Sequence, residues 1–310
     1  MEGRRIDDLE FLSEHNISPR QVSTALTSIF DEMTFISGHL HCDPHLGNLL
    51  VQPHTPTSPS DPNFRIVLLD HGLYRYLPQQ LRVDYAQLWL SIINNDIPRM
   101  KYYSQLVANV PPERFTLFAS AMTGRDYGGV VRGEMAGLKV PRSVEEVARI
   151  RRGNVGGKIM LALVDLLSNM PRIMLLLLKT NDLTRYTSCN HTHSPSTISF
   201  ENLIPFGLRR LTRDGRALDE SLHIESTERN FLVMTRYCAK AVFLDRVSNE
   251  GAWGKLSAWW LYFRTLLGVR IYEYYLDFRD VRDRLRRKWV FHRGTLRYFW
   301  HRSGCGDEVN

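Results

Sequence analysis

Several features that define large classes of protein are missing from this sequence of 310 residues. Its four cysteines are scattered and form no C-x-x-C pair, which argues against a disulfide framework and a thiolate zinc site. The most apolar run, PRIMLLLLKTNDL, contains six consecutive apolar residues, whereas a membrane span needs about 20. The opening MEGRRIDDLEFLSEHN carries acidic residues and no apolar segment, so it does not resemble a secretory signal or transit peptide. A globular protein of a reducing compartment is therefore the expectation.

The positive charge is concentrated near the end of the chain. The formal net charge is +7, and residues 251–310 contain twelve Lys and Arg against six Asp and Glu. Within 282–302 basic residues alternate with Trp, Phe and Tyr. This pattern fits a solvated helix with core-facing aromatics or an interfacial helix on a membrane surface. Nucleic-acid binding is not expected, because no recognised module is present.

The spacing of apolar residues predicts a mainly α-helical protein. Ser18-Pro19-Arg20-Gln21 is a capping-box pattern with proline at the first helical position, and the helix should end at Gly38. The segments 48–52 and 64–70 flank a loop rich in Pro, Ser and Thr, which predicts a β-hairpin with a long tip. Further helices are predicted near 79–95, 98–109, 112–122, 143–152, 155–170, 172–186 and 226–302.

The segment GHLHCDPHLGNLL, residues 38–50, holds the side chains with the clearest chemistry. Four metal-capable residues stand at alternate positions: His39, His41, Asp43 and His45. Binuclear zinc hydrolases use an H-x-H-x-D-H loop, but here a proline moves His45 one place out of register. The remaining candidates for metal ligands at a strand end are Asp70 and His71. A metallohydrolase is therefore the third of our hypotheses.

A phosphoryl-transfer loop explains the same segment better. His41, Cys42, Asp43 and Asn48 align without a gap on the kinase pattern H-R-D-x-x-x-x-N. In that pattern the Asp orients the attacking hydroxyl or water, and the Asn ligates a metal that bridges the phosphates. The strand IVLL is followed by Asp-His-Gly at 70–72, in place of Asp-Phe-Gly. The order helix, loop, strand, turn, strand and Asp-x-Gly predicts a protein-kinase-like C-lobe.

The runs HCDPHLGNLLV and LLDHGLY resemble the UbiB/aarF family of atypical kinase-like proteins, and the resemblance extends from residue 1 to about 186. It implies a protein that binds nucleotide, with ATP and Mg²⁺ as cofactors. The roles that it implies are a catalytic Asp43, magnesium ligands Asn48 and Asp70, a cofactor-binding His45 in the place of a phosphate-contacting lysine, and structural loop residues His41 and Gly72.

The sequence departs from the family pattern at two positions and in one whole region. Leu46 replaces a proline, which removes no ligand, and His71 puts a titratable side chain where a phenylalanine normally packs. Only 40 residues precede His41, and no glycine-rich loop is among them. We therefore expect a C-lobe without its N-lobe, with Met1 an internal methionine of a longer protein. Such a chain should be weakly active or inactive alone.

These expectations combine into one organisation and one function. Residues 1–186 are predicted to form the kinase-like C-lobe, 187–225 a flexible insertion or linker, and 226–310 a helical, basic and aromatic extension. The family resemblance implies an ATPase or phosphotransferase in a mitochondrial setting, with a role in lipid or ubiquinone homeostasis. The alternative is a catalytically silent module that binds a membrane or a protein.

Overall fold

The computed structural model describes residues 3–43, 45–59, 61–123, 164–189 and 220–303. Five strands lie in these ranges: β1 (Arg4–Arg5), β2 (His39–His41), β3 (Leu49–Pro53), β4 (Phe64–Leu68) and β5 (Tyr74–Tyr76). The α-helices are α1 (Leu9–Glu14), α2 (Pro19–Asp31), α3 (Gln79–Ile93), α4 (Ile97–Ala108), α5 (Phe115–Thr123), α6 (Arg172–Cys189), α7 (Glu220–Asn249) and α8 (Ala252–Ser303). The predicted mainly α-helical class is confirmed. The predicted helix at 143–152, most of that at 155–170 and most of the predicted linker lie outside the described residues.

Helix α2 leads directly into the motif segment. It begins at Pro19 after Ser18, as predicted, but the Ser18 side chain makes no capping hydrogen bond, so that part of the prediction is wrong. The helix continues as a wider π-helical turn, Glu32–Ser37, and ends at Gly38 with φ of 75°. A β-carbon at Gly38 would stand 3.0 Å from the Arg82 side chain and from the Leu77 carbonyl oxygen, so this reversal requires glycine.

The predicted hairpin is confirmed, and two further pairings accompany it. Strands β3 and β4 are antiparallel, with Leu49 opposite Leu68 and Pro53 opposite Phe64. Strand β1 adds to the outer side of β3, and β2 pairs with β5 in a separate two-stranded sheet. The strands β1, β2 and β5 have only two or three residues each, too few for an alternating pattern to reveal them.

Two apolar cores hold these elements. The smaller core joins the hairpin to α1 and α2, through residues such as Leu12, Leu26, Phe30 and Val51. The larger core joins α3, α4, α5, α6 and α7, with Trp89 at 1% exposure among its largest side chains. The helix predicted to be buried in the run PRIMLLLL is α6, and its Met174, Leu177 and Leu178 are all buried. Helix α7 packs against α2, α3 and α6.

The chain divides into two compact units, Met1–Thr265 and Leu266–Asn310. The predicted domain boundaries at 186 and 225 stay predictions, because residues 190–219 between them are not described. Among the helices of the described ranges, none is both long enough and apolar enough to cross a membrane.

Candidate functional site

The motif loop connects the two cores. Leu40 and Cys42, on its incoming side, belong to the helical core, whereas Leu49 and Val51, on its outgoing side, belong to the hairpin core. A short 3-10 turn, Leu46–Asn48, leads from the loop into β3. Because both ends are anchored in packed apolar residues, the polar side chains between them are held on a rigid frame.

His41 connects the two segments that carry the predicted site residues. Its ring is fully buried, and its Nδ1 accepts the backbone N–H of Asp43 at 3.2 Å. Its Nε2 therefore carries the proton and donates it to the backbone carbonyl of Asp70 at 2.9 Å. One imidazole thus fixes the loop of Asp43 against the strand end of Asp70.

Asn48 is held at the same junction. Its side-chain Nδ2 donates to the backbone carbonyl of Asp43 at 3.2 Å. The backbone carbonyl of Asn48 accepts the N–H of Leu69 at 2.7 Å. These bonds fix the amide group and leave its Oδ1 oxygen as the end that can act as a ligand. The side chain is nearly buried, at 8% exposure of the residue.

Asp70 projects from the end of β4 in a left-handed conformation, with φ of 55°. One of its carboxylate oxygens, Oδ1, accepts the N–H of Gly72 at 3.2 Å, which closes a tight turn. The residue itself is exposed. The carboxylate of Asp70 and the amide oxygen of Asn48 are hard oxygen donors on adjoining backbone segments, so the donor set fits Mg²⁺.

Asp43 is flanked by two cationic or potentially cationic groups. The ammonium Nζ of Lys179 on α6 lies 3.0 Å from Oδ1, and the His45 ring nitrogen Nε2 lies 3.9 Å from Oδ2. The hydrogen bond from Lys179 lowers the pKa of Asp43, and the positive charge of Lys179 acts in the same direction against partial burial. Asp43 is therefore ionised at neutral pH.

Gly47 makes room for the His45 ring. A β-carbon at Gly47 would approach two ring atoms of His45 to 2.9 Å. Any larger residue at this position would thus displace the imidazole from its place beside Asp43.

The histidine of Asp-His-Gly is held by a tyrosine. The Tyr74 hydroxyl and the His71 Nδ1 are 2.9 Å apart, and the two rings are parallel with centroids 5.9 Å apart. The Tyr74 ring also approaches the His41 ring edge-on, with the two centroids 5.1 Å apart. A polar pair, with an exposed histidine and a half-buried tyrosine, therefore replaces the apolar packing that a phenylalanine would make.

The alternating histidines do not converge on a metal. No group of three His, Cys, Asp or Glu side chains suitable for a metal ion occurs in the part of the chain that the structure describes. His39 is exposed and packs edge-on against Tyr76, while both ring nitrogens of His41 bond the backbone. The geometry lends the metallohydrolase alternative no support.

Two residues of this site were not found by sequence reasoning: Lys179 and Tyr74. Tyr74 had no sequence signal, since its strand is three residues long. Lys179 had one, because it is the only charged residue between Arg172 and Asp182 in an otherwise apolar run. A lone charge within a buried helix indicates a partner, but the sequence does not say which.

This geometry brings the Asp43 carboxylate, the Asn48 amide and the Asp70 carboxylate onto adjoining backbone segments, a combination that the kinase-like class of proteins uses. The comparisons with known proteins agree. Residues 1–104 match the family described as the ABC1 atypical kinase-like domain. The chain is 40% identical, over 83% of its length, to the "ABC1 family protein MCP2 homolog" of Schizosaccharomyces pombe. It is 35% identical, over 88% of its length, to "ABC1 family protein MCP2" of Saccharomyces cerevisiae. It is also 36% identical, over 74% of its length, to "AarF domain-containing protein kinase 1" of Gallus gallus.

The chain therefore belongs to the ABC1, or aarF, family of atypical kinase-like proteins, which confirms the resemblance seen in its motifs. It spans 40%, 45% and 43% of the lengths of these three relatives, respectively. No solved structure matches it.

Proposed function

We propose that this chain supplies the C-lobe side of a phosphoryl-transfer site that uses ATP and Mg²⁺, in an ATPase or a phosphotransferase. The observation that carries the proposal is the His41 imidazole, which bonds the Asp43 amide and the Asp70 carbonyl at once. That bond unites two motifs that are separated in sequence but needed together in phosphoryl transfer.

The proposed roles follow from the contacts of each side chain. Asp43, ionised beside Lys179, accepts the proton of the attacking hydroxyl or water, or orients that group. The Asn48 oxygen and the Asp70 carboxylate would hold Mg²⁺, which when bound would neutralise charge on the phosphates. His45, whose ring lies against Gly47, would contact a phosphate. His41 and Gly72 keep the loop and the turn in position.

The wider setting rests on family membership. In kinases a glycine-rich loop and a strand lysine cover the nucleotide from the side opposite this loop, and we recognise neither motif in this sequence. We therefore propose that the chain alone is weakly active or inactive. We also propose, by analogy with the family, a mitochondrial setting with a role in lipid or ubiquinone homeostasis.

A magnesium-dependent ATPase assay tests the proposal. It is run on this chain and on a version extended at its amino-terminal side to the length of the relatives, each with and without Asp70→Asn. We expect hydrolysis in the extended chain, and its loss on Asp70→Asn, because a metal ligand is removed without a change in shape. A well-folded extended chain that neither binds nor hydrolyses ATP would refute the proposal.

A second function, binding to a membrane surface, is favoured by a separate observation on α8. In the first compact unit its side chains Trp253, Trp259, Trp260 and Phe263 are all exposed, with Trp253 at 85%. The Arg264 guanidinium lies over the Trp260 ring, 5.5 Å from its centroid. Exposed aromatics beside arginine suit the interface of an anionic membrane. Flotation with vesicles containing anionic lipid tests this, and Trp253→Ser with Trp260→Ser should abolish it.

The predicted membrane surface at 282–302 stays a proposal of the same kind. In the second compact unit, Ile271, Tyr274, Phe278 and Leu285 are also exposed. A matched flotation experiment on Tyr274→Ser with Phe278→Ser measures their contribution separately.

A further inference from the structure

Lys179 reaches the motif loop from a helix that sequence reasoning assigned only to the core. Its ammonium bonds a carboxylate 136 positions away in the chain, Asp43, at 3.0 Å. Helix α6 is fixed there by the buried Met174, Leu177 and Leu178, and by a 2.9 Å hydrogen bond from Asn181 to the Tyr85 hydroxyl of α3. The lysine is therefore held at the loop by a packed helix.

Stability does not explain why a lysine should be placed here. The side chains of Lys179 and Asp43 are 42% and 41% exposed, and an ion pair of that exposure contributes little to stability because water screens it. In the comparable pair Lys240–Glu32, the charged atoms are 3.9 Å apart and the side chains are 43% and 45% exposed. Of these two ion pairs, only Lys179–Asp43 includes a residue of the candidate site.

We infer that Lys179 is a phosphate-binding residue of the site, whose ammonium contacts the phosphoryl group that is transferred. The inference rests on the proposed function and adds a residue to it. Kinase catalytic loops carry a phosphate-contacting lysine two residues after the catalytic aspartate, whereas this loop has His45 there. The structure places a lysine beside the same aspartate from another element.

The chemistry of the ammonium group fits this role. It has three N–H donors, and Asp43 accepts one of them. In the transfer step, a nucleophile O–H attacks the terminal phosphorus and a new P–O bond forms. The bond to the bridging oxygen breaks, ADP leaves with that electron pair, and the proton goes to Asp43. A cation within hydrogen-bond reach of Asp43 stands next to the phosphoryl oxygens throughout, and charge there stabilises them.

Nucleotide affinity provides a test that does not depend on turnover. Calorimetry measures the Kd of Mg²⁺ with the non-hydrolysable analogue AMP-PNP for the chain extended at its amino-terminal side, and for its Lys179→Met, Lys179→Arg and Lys240→Met variants. We expect Lys179→Met to weaken binding about tenfold, the effect of roughly one charge-assisted hydrogen bond. Lys179→Arg should retain most of the affinity, and Lys240→Met should match the wild type. Thermal unfolding of each variant confirms that it is folded.

The same substitution in an Asp43→Asn background separates contact with phosphate from support of Asp43. If Lys179 contacts the phosphoryl group, the tenfold loss persists when the carboxylate is gone. If the loss disappears in that background, or if Lys179→Met binds as well as the wild type, the inference is wrong. If the folded, extended wild-type chain shows no magnesium-dependent binding, the proposed function is overturned, and this inference falls with it.

Discussion

Two aspartates, one in the site loop and one between helices, occupy opposite environments. The Asp43 side chain is 41% exposed and accepts a hydrogen bond from the Lys179 ammonium, which lowers its pKa. Asp31, at the end of α2, is buried, and its Oδ2 has no hydrogen-bond partner among the described residues. Burial raises its pKa well above the usual range. The surroundings of Asp43 in the site loop thus favour its charged form, while burial between α2 and α7 favours the neutral form of Asp31.

The largest effect should come from removing the histidine that organises the loop. His41→Ala removes a fully buried ring and leaves the Asp43 amide and the Asp70 carbonyl without their shared partner. We expect a loss of roughly 3 kcal/mol in the free energy of unfolding, because a cavity and two unpaired polar groups result. Urea unfolding monitored by circular dichroism measures it.

His39→Ala is the matched control for that measurement. His39 stands two residues earlier in the same strand but is exposed, so its removal should change the free energy of unfolding by less than about 0.5 kcal/mol. Equal losses for the two variants would contradict the bridging role of His41.

Asp31→Asn should have the next largest effect on the free energy of unfolding, and it should raise that free energy rather than lower it. Because its pKa is raised, native Asp31 keeps a proton that the unfolded chain releases above its ordinary pKa. Wild-type stability should therefore fall as pH rises through the range between these two pKa values, by up to about 1.4 kcal/mol per pH unit. The asparagine variant should lack this slope and be more stable than the wild type at neutral pH.

Urea unfolding between pH 4 and pH 8 compares the two proteins. Glu32→Gln provides the control, since Glu32 is the next residue in sequence and its side chain is 45% exposed. A wild-type slope that persists in Asp31→Asn would show that another group is responsible.

The sequence revealed those parts of the site that depend on short-range spacing. Asp43 and Asn48 lie in one loop, and Asp70 follows a recognisable apolar strand, so a motif sufficed to find all three. The hairpin was found for the same reason, because two short apolar runs on either side of a loop rich in Pro, Ser and Thr are a local signal.

The parts that the sequence did not reveal depend on tertiary placement. Lys179 meets Asp43 only because α6 packs against α2 and α7. The sequence also did not reveal that His41 bridges Asp43 and Asp70. That bridge forms only because the chain brings Asp70 back beside the motif loop. Asp31 was not singled out either, because a polar residue at a helix end is usually exposed and only packing by α7 buries it.

A smaller effect is expected from Lys179→Met on stability alone. The lowered pKa of Asp43 contributes stability that is present above the ordinary pKa of an aspartate and is lost as pH falls through the native value. Since the pair is more than a third exposed, solvent screening should limit the loss to less than about 1 kcal/mol at neutral pH. The difference between variant and wild type should shrink as pH falls below the ordinary pKa of an aspartate, which urea unfolding at pH 7 and pH 3 measures. A loss that persists unchanged at pH 3 would indicate a packing role.

The smallest effect should come from Tyr74→Phe, which tests whether the exposed side of the loop is as ordered as its buried side. The substitution removes the hydroxyl that pairs with His71 but keeps the ring that contacts His41. We expect a loss of about 0.5 kcal/mol, because a solvated hydrogen bond contributes little. Tyr76→Phe, at an exposed tyrosine of the same strand, serves as the control and should change nothing measurable. A loss several times larger in Tyr74→Phe alone would mean that the hydroxyl holds the whole Asp-His-Gly turn in place, and Asp70 would then depend on both His41 and Tyr74.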